Sequence, residues 1–322
     1  MYLLAYSFIR NHFDSKKALG ISFFTALLFA IHPVQVETVC WISASKIVLS
    51  TFFYLSALIC YIQYMRNSKW QYLLASVVSS ILAMGCKEQS VIIVPCLLLF
   101  DWMLFKRNMR SLKVYIEKVY YLIPAIAIFI VTLVANKDTG EEIIGYTIVD
   151  RFIFLCYSVF KYLLISAIPF KLSYLYPFPF QVGEKIPMAL WIYPFVILFI
   201  GYVIYLNRKK PLLVFCTLFF ILHLLPVLHV IPLPRYVVVA DRYLYIPYIA
   251  FAIGLSILSY HLYERQRKWI LYAGFLYCSY LCVYTASYAP AWKNSDTLKE
   301  HFKEVLKKRE TNLSINFKHE KQ

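Results

Sequence analysis

Glycine is scarce in this 322-residue chain, with 8 residues, and charged residues make up only 16%. The first scarcity excludes collagen-like and glycine-linker architectures; the second, beside 61% apolar residues, excludes a disordered chain. Acidic residues are the rarer charge, 17 Asp and Glu against 33 Lys and Arg, for a net of +16. No P-loop, GxSxG, HExxH or GxGxxG pattern occurs, so the chemistries built on those motifs lack their starting residues. The 8 cysteines show neither CxxC nor zinc spacing, and Cys60, Cys96, Cys156, Cys216, Cys278 and Cys282 lie in apolar runs. They read as small packing residues rather than a disulfide or metal framework. Short alternating strands, the sign of a membrane β-barrel, are missing too.

What the chain does have is a series of long apolar runs, rich in aromatics, separated by short polar breaks. A hydrocarbon core about 30 Å thick needs roughly 20 helical residues, and the runs approach that length. The expected fold is therefore all-α, a polytopic helical membrane protein. Nine full spans are expected, over about 17–33, 47–65, 70–86, 91–105, 119–135, 189–206, 212–231, 243–261 and 269–287. The opening MYLLAYSFIR is too short to span and reads as the second half of a helix, with part of the domain expected upstream. Residues 151–170 are apolar, but both flanks must lie on one side, and Arg151 and Lys161 fall inside. A helix that lies along the outer leaflet or dips into it is the expectation there.

The breaks carry a two-sided code. Those at 10–17, 66–69, 106–118, 207–210 and 261–268 hold 16 of the 33 basic residues, which marks them as cytoplasmic by the positive-inside rule. Membrane orientation thus accounts for the basic balance, and no nucleic-acid partner is expected. The breaks at 34–46, 87–90, 136–150, 171–188 and 232–242 then face outward, and they collect the mixed acid–base motifs. Charge at the edge of hydrocarbon is costly, so the side that accumulates it is the working side. Residues 1–291 form the membrane domain; 292–322 form an external amphipathic helix, over 296–310, and a frayed tail. Thr297 and Glu300 have capping-box spacing there.

Each outward motif admits two readings. In HPVQVE, Pro33 ends a helix, after which Glu37, Trp41 and Ser45 recur at four-residue spacing between His32 and Lys46. They form a pocket wall for a polar substrate, or an interfacial loop with a Trp anchor. Lys87 and Glu88 interrupt a long apolar stretch, as site residues or as simple punctuation between two spans. Asp241 and Arg242 open the run YLYIPYIAF beside Tyr243. They form either a lipid-phosphate site, using the planar donor fork of Arg, or an interfacial ion pair. The aromatics of LSYLYPFPF (172–180) make an interfacial belt or a platform for a sugar ring. Asp101, near the inner end of its run, is expected to cap or pair locally. His223 and His229 read as core residues.

Four segments in order carry a family resemblance: ALLFAIHPVQVETVCWISASKIVLSTFFYLSALICY, MGCKEQSVIIVPCLLLFDW, LPVLHVIPLPRYVVVADRYLYIPYIAF and AWKNSDTLKEHF. Together they resemble the membrane domain of the transmembrane O-mannosyltransferases that carry tetratricopeptide repeats, over about residues 18–305. The resemblance implies a GT-C-like fold and transfer of a sugar from a polyprenyl-phosphate carrier to an acceptor protein or glycan on the non-cytoplasmic face. It implies an integral membrane location, in a bacterial inner membrane with the active face toward the periplasm or exterior. On that reading Glu37 and Asp241 are the candidate catalytic carboxylates, for acceptor orientation or a divalent metal. His32, Trp41, Lys46, Lys87, Glu88, Arg242 and Tyr243 are the candidate substrate contacts, with Arg242 first for the carrier phosphate. The chain departs from the family at Ser45 and Ile47, where Arg and Asp are usual, and the expected repeats do not follow residue 310. The family's presumed catalytic Asp would precede Met1. An inactive membrane scaffold and a polytopic transporter stay open beside the enzyme.

Overall fold

A computed structural model describes residues 1–135, 146–174, 176–228, 237–265, 267–301 and 303. The helices are α1 (Tyr2–Ile9), α2 (Ser15–Ile31), α3 (Val36–Cys40), α4 (Ser45–Asn67), α5 (Trp70–Cys86) and α6 (Ile93–Met103). There follow α7 (Leu112–Ala135), α8 (Ile148–Ala167), α9 (Ile192–Leu206), α10 (Pro211–Leu224), α11 (Pro247–Arg265) and α12 (Arg267–Tyr288). A further helical stretch starts at 295. It takes in the first part of the amphipathic helix expected over 296–310; the rest, from 304 on, lies outside the described residues. Apart from one antiparallel bridge, Tyr176 to Val239, the regular structure among the described residues is helical.

The burial pattern is that of a membrane protein. Helix α9 has no buried residue, and Phe195, Leu198 and Phe199 on it are about seven-tenths exposed. Phe275 and Val283 on α12 are equally bare. Contiguous apolar surface on this scale is costly against water and natural against lipid. The interior, by contrast, holds polar groups: Ser22 and Thr25 donate to carbonyls one turn back, and Ser50 donates to the Ala83 carbonyl at 2.9 Å. Small hydroxyls let α4 and α5, the most intimately packed pair, approach closely.

Among the described residues, four helical segments are long and apolar enough to cross a membrane: Ile42–Asn67, Leu112–Thr132, Met188–Leu206 and Trp269–Trp292. A fifth is reached if Ser15–Ile31 and Pro33–Cys40, bent by 54°, count as one broken span. The expectation of nine full spans is therefore not met, because a helix ends sooner than an apolar run does. Pro33 lacks the N–H needed to continue α2, and the chain turns there. Helix α6 has 11 residues and α10 has 14, about 16 and 21 Å at 1.5 Å per residue, short of a core about 30 Å thick. Helix α5 has 17, α8 carries Asp150, Arg151 and Lys161, and α11 closes on Glu264 and Arg265.

The breaks nevertheless sort to two ends. At one, Lys17 meets Glu264 at 3.1 Å, Phe13 packs against His261, and Arg66 donates to the Ser7 carbonyl at 2.8 Å. There too Asp101 finds the local partners expected of it. Fully buried, it accepts from Tyr61 and Lys118, each at 2.6 Å, while Arg107 bridges Asp101 and Glu117 at 3.4 and 2.5 Å. This ionic cluster ties α4, α6 and α7 together. The motifs of the expected outward breaks meet at the opposite end.

Helix α8 belongs to a hairpin. Its start is held by a Thr147–Asp150 capping box, and Tyr146 just before it stacks on Phe178 and donates to the Phe180 carbonyl at 3.0 Å. After α8 the chain climbs α12: Tyr277 donates to the Ala167 carbonyl, Tyr280 to that of Pro169, and Leu172 N–H donates to the Tyr284 hydroxyl. Both ends of the hairpin thus return to the loop around Phe178.

Candidate functional site

The site is assembled from three local stops in the helical chain. At the first, α2 ends before Pro33, and the His32 ring takes the Val34 N–H at 3.3 Å to start a short 3-10 turn. That turn feeds α3, which aims Glu37 into the protein with no exposure. At the second, Lys87 leaves α5 in extended conformation and Glu88 opens another 3-10 turn. At the third, the buried stretch 237–240 runs beside residue 176 and is pinned by Val238 N–H on the Tyr176 carbonyl at 3.0 Å. Ala240 N–H donates to the Tyr162 hydroxyl at 3.3 Å. Asp241 and Arg242 follow in a tight turn just ahead of α11.

The third stop closes on the first. Arg242 Nη1 lies 2.5 Å from Glu37 Oε1, and the Arg242 backbone N–H donates to Glu37 Oε2 at 2.9 Å. Both carboxylate oxygens are thus committed to one residue, a charge-assisted arrangement that fixes the guanidinium. The Arg242 side chain keeps about 20% exposure. Its guanidinium carbon sits 5.6 Å from the Trp41 ring centre and 5.1 Å from that of Tyr243, within cation–π range. Lys87 Nζ lies 5.5 Å from the same Tyr243 ring. Trp41 in turn packs against Tyr174 and Trp292, at 6.3 and 5.9 Å.

Asp241 behaves differently from its neighbour. A 3-10 turn advances about 120° per residue, so adjacent side chains diverge. The Asp241 carboxylate is fully buried, and Oδ1 accepts from the Tyr176 hydroxyl at 2.9 Å. Oδ2 has no hydrogen-bond partner among the described residues. Burial pushes its proton affinity up from the usual carboxylate range, and the nearby Glu37 charge adds to the effect. Lys87 is shifted the other way. Burial lowers its ammonium to about 7, with the charges of Arg242 and Lys46 helping and those of Glu88 and Glu37 opposing.

Of the residues singled out in the sequence, Glu37, Trp41, Lys87, Arg242 and Tyr243 share one cluster. Lys46 and Glu88 lie exposed on its rim and act on it through charge. His32 is buried against Tyr248, ring centres 4.3 Å apart, and serves as a cap in the wall. Of the two readings left open for Asp241 and Arg242, the interfacial ion pair does not form; Arg242 pairs with Glu37 instead. Sequence reasoning did not single out Tyr176, which holds Asp241, or Trp292, which backs Trp41. Tyr176 lies within the aromatic run 172–180, whose composition was the available signal. His223 is a core residue, hydrogen-bonded to Tyr54 at 2.8 Å, and His229 lies outside the described residues.

A divalent metal is not favoured by these carboxylates. Glu37 has spent both oxygens on Arg242, and among the described residues no group of three or more His, Cys, Asp or Glu side chains could hold an ion. What the arrangement offers instead is a partly open pair of cations, Arg242 and Lys87, inside an aromatic rim, with buried carboxylates behind. No protein family, curated protein or solved structure matches this chain.

Proposed function

We propose that this chain is the membrane core of a GT-C-type glycosyltransferase, taking a sugar from a polyprenyl-phosphate carrier and passing it to an acceptor protein or glycan on the non-cytoplasmic face. One observation supports this above others: a guanidinium aimed by a buried carboxylate, set beside an amine and three aromatic rings, at the end opposite the basic breaks. Arg offers five N–H donors in a fixed fork. Glu37 engages Nη1, and the partly exposed remainder suits a lipid phosphate. As the sugar leaves, negative charge grows on that phosphate, and Arg242 with protonated Lys87 would stabilise it. Trp41, Tyr174 and Tyr243 supply ring faces against which a pyranose can stack. Behind these cations the two buried carboxylates hold the site in place: Glu37 is committed to Arg242 and Asp241 to the Tyr176 hydroxyl.

An inactive scaffold is the second reading, favoured by Ser45 and Ile47 at positions where the resembled family carries Arg and Asp. Binding of a polyprenyl phosphate, with melting followed in parallel, tests the proposal. Arg242→Lys keeps charge but loses the fork, so carrier binding should weaken while melting stays close to wild type. Arg242→Ala should bind worst. Unchanged carrier affinity in both variants would remove Arg242 from the phosphate site.

A further inference from the structure

A second candidate site lies at the other end of the molecule. Between α8, α9, α10 and α11 runs an apolar groove of about 1080 Å³, larger than the roughly 300–1,000 Å³ typical of pockets for drug-sized ligands. Its floor is left open by two glycines. A side-chain carbon on Gly201 would meet nothing within 4 Å, and one on Gly254 would first touch Cys216 at 3.9 Å. Along α11 the lining runs from Ala250 to His261. Eleven steps of 1.5 Å make about 16 Å, roughly half of a hydrocarbon core about 30 Å thick. The groove is therefore one leaflet deep.

Its mouth is basic. Lys209, Lys210, His12 and His261 line that end, and no carboxylate lines the groove anywhere. Among the described residues neither lysine forms an ion pair, while Glu264, in the break that carries His261, is taken by Lys17. Apolar walls one leaflet deep that end in unpaired cations match a lipid with an anionic headgroup. We infer that this groove holds one anionic glycerophospholipid of the leaflet on the basic side, its acyl chains over Gly201 and Gly254 and its phosphate at Lys209 and Lys210. A polyprenyl chain outruns one leaflet, and a zwitterionic lipid leaves the lysines uncompensated.

Titrating the purified full chain in detergent with phosphatidylglycerol, phosphatidylcholine or a polyprenyl phosphate, with lipid retention and melting as readouts, tests the inference. Phosphatidylglycerol should bind tightest and raise melting the most. Lys209→Gln with Lys210→Gln should weaken it roughly 30-fold, taking one surface-lysine increment for each charge removed. Gly201→Trp fills the groove from an exposed position and should abolish retention while the lipid-free melting stays in place. Equal affinity for phosphatidylcholine, tighter binding of the polyprenyl phosphate through the same lysines, or full retention in Gly201→Trp would each overturn it. Should the double lysine variant fail to fold, the wild-type lipid ranking and Gly201→Trp still decide the matter.

Discussion

Removing the Arg242 side chain would leave the wholly buried carboxylate of Glu37 without its counter-ion, held only by the backbone N–H of residue 242. Breaking a buried ion pair by deleting one partner costs about 3–5 kcal/mol, because the survivor keeps its desolvation penalty and loses its attraction. Arg242→Ala should sit in that range. The converse change is gentler. In Glu37→Gln the shape and an oxygen acceptor remain, and the guanidinium, about 20% exposed, can recruit water. The expected loss is that of a charged hydrogen bond, about 1.5–3 kcal/mol. Replacing both members by apolar side chains of similar size removes penalty and attraction together, which is often neutral or better. Glu37→Met with Arg242→Met should therefore be more stable than Arg242→Met alone, and with Glu37→Met closing the cycle the coupling should lie near the top of the roughly 0.5–3 kcal/mol range for contacting residues. Reversible unfolding in mixed micelles, followed by tryptophan fluorescence, gives the values for these single and double changes. If the single changes cost the same small amount and the double change is their sum, the pair is solvated and the reasoning fails.

Four further outcomes follow. The Lys87 amine, lowered to about 7 in the folded chain, holds its proton to an ordinary lysine value near 10.5 when unfolded. The unfolded state thus binds more protons between those values, so stability should rise with pH from about 7 to 10.5; Lys87→Met should flatten that rise in a melting series, and an unchanged slope would count against the buried amine. Carrier binding should run oppositely, weakening as pH climbs through about 7, and Lys87→Arg should keep it level; a wild-type profile flat from about pH 5.5 to 8.5, about 1.5 units either side of the lysine value, would exclude Lys87 from the phosphate. Asp101→Asn leaves Lys118 and Arg107 facing a neutral amide and should cost about 3–5 kcal/mol in micelle unfolding; a loss under 1 kcal/mol, the scale of a surface ion pair, would show the cluster to be solvated. In cells, with native cysteines replaced, Ser43→Cys should react with an impermeant thiol reagent and Asn67→Cys should not, and the reverse labelling would invert the assigned sides.

Much of the helix inventory was legible in the sequence because the forces that set it are local. An apolar run flanked by polar breaks specifies a helix and its lipid-facing side without reference to the rest of the chain. The runs at 47–65 and 70–86 accordingly become α4 and α5 within a few residues, and the basic breaks gather at one end. The count of crossings was not legible, since it depends on where each helix stops rather than on where apolar residues run out. Pro33 bends one run by 54°, and short helices such as α6 are held inside the body by their neighbours. The site shows the same division. Its residue types were visible in HPVQVE, KE and ADRY, but its pairing was not. Glu37 and Arg242 stand 205 residues apart, and Coulomb attraction depends on distance in space, not along the chain. Asp241 is adjacent to Arg242 in sequence, yet the tight turn directs it to Tyr176. Only the packed protein, by bringing α3 against the turn before α11, decided which carboxylate holds the guanidinium and which is left with an oxygen that no hydrogen bond satisfies among the described residues.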